Sequence, residues 1–95
     1  MIDLEEKYIQ FIKITLSSYL KEYELFIFGS RAKNKARKYS DVDIAIKSNE
    51  MTAEIKSKIE FEFENSTFPY EVDIVDLNTI SDNFKNLIKD DLIKI

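Results

Sequence analysis

Phe26-Ile27-Phe28-Gly29-Ser30 and, ten residues later, Asp41-Val42-Asp43-Ile44-Ala45-Ile46 decide how this chain reads. The first stretch is a short continuous apolar run, the pattern of a buried strand, and it ends in the only glycine of the sequence. The second alternates, with Val42, Ile44 and Ile46 on one face and Asp41, Asp43 and Ala45 on the other, so it is a strand with one apolar side. Residues i and i+2 of a strand project from the same face, which sets Asp41 and Asp43 side by side. Two carboxylates so placed repel unless a cation lies between them.

Working outward, apolar residues at helical spacing (Leu4, Tyr8, Phe11, Ile12, Tyr19) predict a helix from Asp3 to Tyr23, with Asp3 as its cap and Glu6 completing a capping box. Arg31 to Lys38 reads as a short helix leading to a loop around Lys38 and Tyr39. After the Asp-x-Asp strand, Ser48 or Asn49 is expected to cap a helix carrying Met51, Ile55 and Ile59, which Pro69 cannot continue. Tyr70 to Leu77 reads as a third strand. A last helix, begun at Asn78 or Ser81, carries Ile80, Phe84, Leu87, Ile88 and Leu92. The order predicts one α/β (α+β) domain over residues 1–95, built on a small sheet.

Composition narrows the chemistry. The 95 residues include no histidine and no cysteine, which excludes Ser-His-Asp and Cys-His catalysis, disulfides and thiolate or imidazole metal sites. A bound metal must have oxygen ligands, which points to Mg²⁺, Mn²⁺ or Ca²⁺. No apolar run reaches membrane-spanning length and nothing at the N-terminus reads as a signal peptide, so a cytoplasmic protein is expected. The net charge of −4 is unevenly spread: Arg31, Lys33, Lys35, Arg37 and Lys38 stand together, leaving 9 basic against 18 acidic residues elsewhere. Such a run is ordinarily a solvated loop, but here it lies between two candidate phosphate and metal motifs. The acidity of the remainder argues against nucleic-acid binding.

Gly29-Ser30 suits a phosphate: glycine lets an anion approach the backbone, a following helix would offer free N–H groups, and the Ser30 hydroxyl adds a donor. In isolation the dipeptide is a common strand-to-helix turn. Asp-x-Asp is as weak alone, since with eight aspartates about one such spacing arises by chance. The third strand, Glu71-Val72-Asp73-Ile74-Val75-Asp76-Leu77, sets Asp73 between apolar neighbours, where an unpartnered charge is costly. Beside the Asp41 strand, Asp73 would complete a three-carboxylate cluster suited to two divalent cations; Glu71 and Asp76 are the alternatives.

Phe28-Gly29-Ser30-Arg31-Ala32 through Ser40-Asp41-Val42-Asp43-Ile44-Ala45-Ile46 resembles the signature of the DNA polymerase beta-like nucleotidyltransferases. It is similar above all to the minimal nucleotidyltransferases, the antitoxin half of HEPN/MNT toxin–antitoxin pairs. The resemblance spans essentially the whole chain. It implies the nucleotidyltransferase fold, a mixed three- to four-stranded sheet with helices packed mainly on one face. It implies two Mg²⁺ ions on Asp41, Asp43 and Asp73, which are also the catalytic residues, and ATP as substrate. Gly29, Ser30, Arg31, Lys33 and Ser40 would bind the nucleotide. It implies a HEPN toxin as partner and transfer of AMP to a hydroxyl of that toxin, a tyrosine, which neutralises it. Adenylylation of a small-molecule hydroxyl and non-catalytic occlusion of a toxin are the competing expectations. Two departures stand out: Asn34 lies where members often have glycine, and Asp90 to Ile95 lacks the glycine common near their C-termini.

Overall fold

The computed structural model describes residues 3–29, 31 and 41–95. The expectations for Ser30, Lys33, Asn34, Lys35, Arg37, Lys38 and Ser40, and for a short helix over 31–38, lie outside the described residues, save that Arg31 is in a turn.

The elements run α1 (Glu6–Ser17), β1 (Glu24–Phe28), β2 (Val42–Lys47), α2 (Ala53–Glu64), β3 (Val72–Asp76), α3 (Asp82–Ile88) and β4 (Ile93–Lys94). The four strands form one mixed sheet in the order β3-β2-β1-β4. β1 pairs antiparallel with β2 and β4, whereas β2 and β3 are parallel and joined through α2, the crossover that parallel neighbours require.

Alternation in β2 sorts the two faces as the sequence predicts. Val42, Ile44 and Ile46 are wholly buried with Ile12 and Leu16 of α1 and Ile59 and Phe63 of α2. Tyr8, Phe11, Phe63, Phe68 and Tyr70 close this layer, with ring centroids 5.3–6.1 Å apart in edge and stacked pairs. Each such aliphatic side chain contributes about 1.5–3 kcal/mol on burial, so this face carries most of the stability. The opposite face is covered only in part, where Ala45 packs with Leu77 and Ile88 beneath α3. Helices therefore lie mainly on one face, and among the described residues no helix covers the Asp43 end of the other face.

Several boundaries differ from the sequence reading. Asp3 does not cap α1: its N–H donates to the Arg31 carbonyl at 2.7 Å, and the helix starts after Glu5 without a side-chain cap. α1 stops at Ser17 rather than Tyr23. The Ser18 and Tyr23 hydroxyls donate to the carbonyls of Ile14 and Lys13, and the Lys21 and Glu22 amides donate to the Glu50 carboxylate. Those two amides hold the Glu50 pKa below its ordinary value. Thr52, not Ser48 or Asn49, caps α2, accepting from the Ile55 N–H; the Ser48 hydroxyl instead donates to the Glu22 carbonyl. Ser81 caps α3. The pattern that reached Leu92 ends at Ile88, and the chain returns to the sheet as β4 beside Phe26 and Ile27. No helix among the described residues is long and apolar enough to cross a membrane.

Candidate active site

The pairing of three strands builds the site. Asp43 lies opposite Phe28 of β1 and opposite Asp73 of β3. Neighbouring strands are about 4.8 Å apart, so residues in register on one face are in reach of each other. The pairing sets Asp43 between Asp73 on one side and the Phe28-Gly29 end of β1 on the other.

The electrostatics of that placement show in Asp43, whose pKa is raised from 3.8 to about 6. Partial burial is the first cause, the Asp73 charge the second, followed by a side-chain hydrogen bond with Asp73 and the charge of Asp41. Two carboxylates at hydrogen-bonding distance share a proton because both cannot ionise cheaply. A divalent cation relieves the same repulsion without the proton. Asp41 is exposed at the mouth of β2 and acts on Asp43 through its charge. Among the described residues no three carboxylates converge to ligand distance. The donor set nevertheless fits a hard, oxygen-ligated cation: a coupled aspartate pair with a third charge beside it.

Gly29 has φ +76°, a left-handed conformation that side chains disfavour. It has a second reason to be glycine. A Cβ at this position would collide with Asp43 Oδ2 and lie 3.2 Å from its Cγ and 3.4 Å from its Cβ. The space that sequence reasoning assigned to a phosphate is thus also the seat of the Asp43 carboxylate.

The structure separates the other acidic candidates. Asp73 partners Asp43. Glu71 is exposed one turn of the pleat earlier, and its carbonyl accepts from the Val42 N–H. Asp76 is buried and its Oδ1 accepts the Asn78 N–H at 3.0 Å, closing the turn after β3. Arg31, expected at the nucleotide, is turned inward and only 4% exposed. Its guanidinium lies 4.1 Å over the Tyr70 ring and its Nη1 donates to the Asp3 carbonyl at 2.8 Å. Arg31 is thereby tied to Asp3 near the N-terminus and to Tyr70 on the approach to β3. Sequence reasoning missed Tyr70 in this role, and only its position just before Glu71 hinted at it.

Residues 10–94 match the protein family described as Polymerase beta, Nucleotidyltransferase. A Haemophilus influenzae protein named Probable protein adenylyltransferase MntA is 34% identical over 89 residues, covering 93% of this chain and 78% of the relative. Among solved structures, a toxin–antitoxin with AMP-PNP superposes with a TM-score of 0.75 at 20% identity, covering 96% of this chain and 72% of that one. A complex of tri-AMPylated Shewanella oneidensis HEPN toxin with MNT antitoxin gives 0.74 at 17% identity, covering 96% and 71%. At these identities the structural likeness shows the fold.

Proposed function

The chain belongs to the polymerase beta nucleotidyltransferase family, and we propose that it transfers AMP from ATP to a hydroxyl, a tyrosine, of a partner HEPN toxin and so neutralises it. The observation that carries this reading is the Asp43–Asp73 pair seated against Gly29. The adenylyltransferase name of the 34% identical relative supports AMP transfer to protein. The complexes with AMP-PNP and with AMPylated toxin, which share this fold, support the nucleotide and the partner. Use of ATP as donor supports a reaction in the cytoplasm.

Asp41, Asp43 and Asp73 would hold two Mg²⁺ ions, which when bound supply charge stabilisation at the acceptor oxygen and at the leaving pyrophosphate. Gly29 and Ser30 would hold the triphosphate, Lys33 and Ser40 would add donors, and Arg31 would act through its hold on Asp3 and Tyr70. The acceptor oxygen attacks the α-phosphorus, the bond to pyrophosphate breaks, and Asp73 takes the acceptor proton. The protein's main contribution is placement: three strands in register set the carboxylates, and a left-handed glycine brings the phosphate turn against them.

The test incubates the protein with α-labelled ATP, Mg²⁺ and the toxin. Label should pass to the toxin and disappear with Asp41→Asn/Asp43→Asn. Transfer that survives this double substitution refutes the catalytic reading. Toxin inhibition that survives without transfer favours occlusion.

A further inference from the structure

A groove of about 500 Å³ opens directly beside Asp73, between the C-terminal end of α2 and the start of β3. Phe68, Tyr70 and Val72 supply apolar parts of its lining. Its rim is acidic, with Glu60 and Glu64 from α2 and Glu71 from the approach to β3. Lys56 lies 3.7 Å from Glu60 and offsets part of that charge, while Arg31 is buried against Tyr70.

β3 is the edge strand of the sheet on this side. The Glu71 carbonyl and the Leu77 amide bond to β2. Backbone groups alternate along a strand, so those of Val72 and Ile74 point to the outer edge, where no described strand pairs with them. An open strand edge beside a groove takes an extended polypeptide, which adds main-chain hydrogen bonds and drops alternate side chains into the groove. A small molecule would use neither the length nor the edge.

We propose that this groove seats the acceptor polypeptide, a cationic extended segment whose hydroxyl-bearing residue reaches Asp73. The proposal rests on the reading that this site transfers AMP to a protein hydroxyl, and adds the chemistry of the segment that delivers it. Charge is complementary: a segment with Lys or Arg on either side of the acceptor residue meets Glu60, Glu64 and Glu71, whereas an acidic segment is repelled. The groove ends at the aspartate that would take the proton, so docking and chemistry are continuous.

Two short fluorescent peptides test it, each with one central tyrosine, flanked by lysines in one and by glutamates in the other. Binding to the full chain is read by anisotropy without ATP, so the outcome does not depend on AMP transfer. The lysine peptide should bind, more weakly as salt rises, and the glutamate peptide should not. Glu60→Lys/Glu64→Lys should weaken the lysine peptide roughly tenfold, two exposed attractions having become repulsions, and leave AMP-PNP affinity unchanged. Equal binding of both peptides, or an unchanged affinity in the double variant, overturns the proposal. So does binding of a labelled polyamine by a chain that takes neither peptide, which would mark a small cationic acceptor. Loss of label transfer with intact peptide binding would refute the catalytic reading and leave the groove standing.

Discussion

Replacing Gly29 by alanine should both unfold the protein more easily and disable it, by two separable effects. The backbone there has φ +76°, and an L side chain held in that region costs about 1–2 kcal/mol. The alanine also stiffens the unfolded chain, which returns about 0.4–1 kcal/mol. The new Cβ meets Asp43 Oδ2, so the carboxylate must leave its rotamer, at about 0.5–1.5 kcal/mol. The net loss is about 1–2 kcal/mol, and at 4–8 °C per kcal/mol for a domain of this size the melting temperature should fall by roughly 5–15 °C. A double-mutant cycle separates the two effects. In an Asp43→Ala background the collision disappears, because the remaining Asp43 Cβ at 3.4 Å is an ordinary contact, while the backbone term persists. Gly29→Ala should therefore cost about 0.5–1.5 kcal/mol less there than in the parent chain. Urea denaturation followed by circular dichroism gives all four corners of the cycle. Strict additivity would refute the claim that Gly29 makes room for Asp43. A parent-like Gly29→Ala variant would refute the whole argument. AMP transfer should fall by about a hundredfold, the scale of an ångström-level displacement of a reacting group.

The raised Asp43 pKa sets a pH dependence. Because the folded state holds this proton up to about pH 6 while the unfolded chain releases it near 3.8, the metal-free protein is stabilised by Asp43 below the lower value and loses that stability as pH rises through about 6. Melting curves without divalent ions should show this decline, Asp73→Asn should flatten it, and added Mg²⁺ should raise the melting temperature more at pH 7.5 than at pH 5; an equal rise at both would refute the shared-proton account. Arg31→Lys keeps the charge but loses the planar stack on Tyr70 and the directed bond to the Asp3 carbonyl, so it should cost about 1–3 kcal/mol and raise the KM for ATP with little change in kcat. A variant that melts like the parent would return Arg31 to the surface role its sequence neighbourhood implied.

The parts of the fold that were readable from residues alone are those where packing and period agree. Val42 to Ile46 alternates, and its apolar half is the part that is buried. β4 was hidden because two residues have no period, and because Ile88 and Leu92 continue the spacing of α3. Only pairing with Phe26 and Ile27 turns that tail into a strand. The ends of α1 were hidden for a related reason. Asp3, the expected cap, is held instead by the Arg31 carbonyl, and the chain after Ser17 is held by Glu50 and Tyr23, so no local propensity could locate them.

The site divides along the same line. Spacing identified Gly29 and Asp43, but their dependence on each other comes from register, which places Phe28 opposite Asp43 and so brings Gly29 beside it. Register likewise sets Asp73, and neither Glu71 nor Asp76, level with Asp43 across the parallel pair. Arg31 read as one of five exposed cations because its aromatic partner is on another strand's approach. The lone glycine, which the sequence offers to a phosphate, also makes room for a carboxylate. A chain with Gly29 but without Asp43 would keep a turn. A chain with Asp43 but without Gly29 would have no place for the carboxylate that must face Asp73. The proposed cation site and the proposed phosphate turn therefore meet at one contact, and a substitution on either side of it has to be felt on the other.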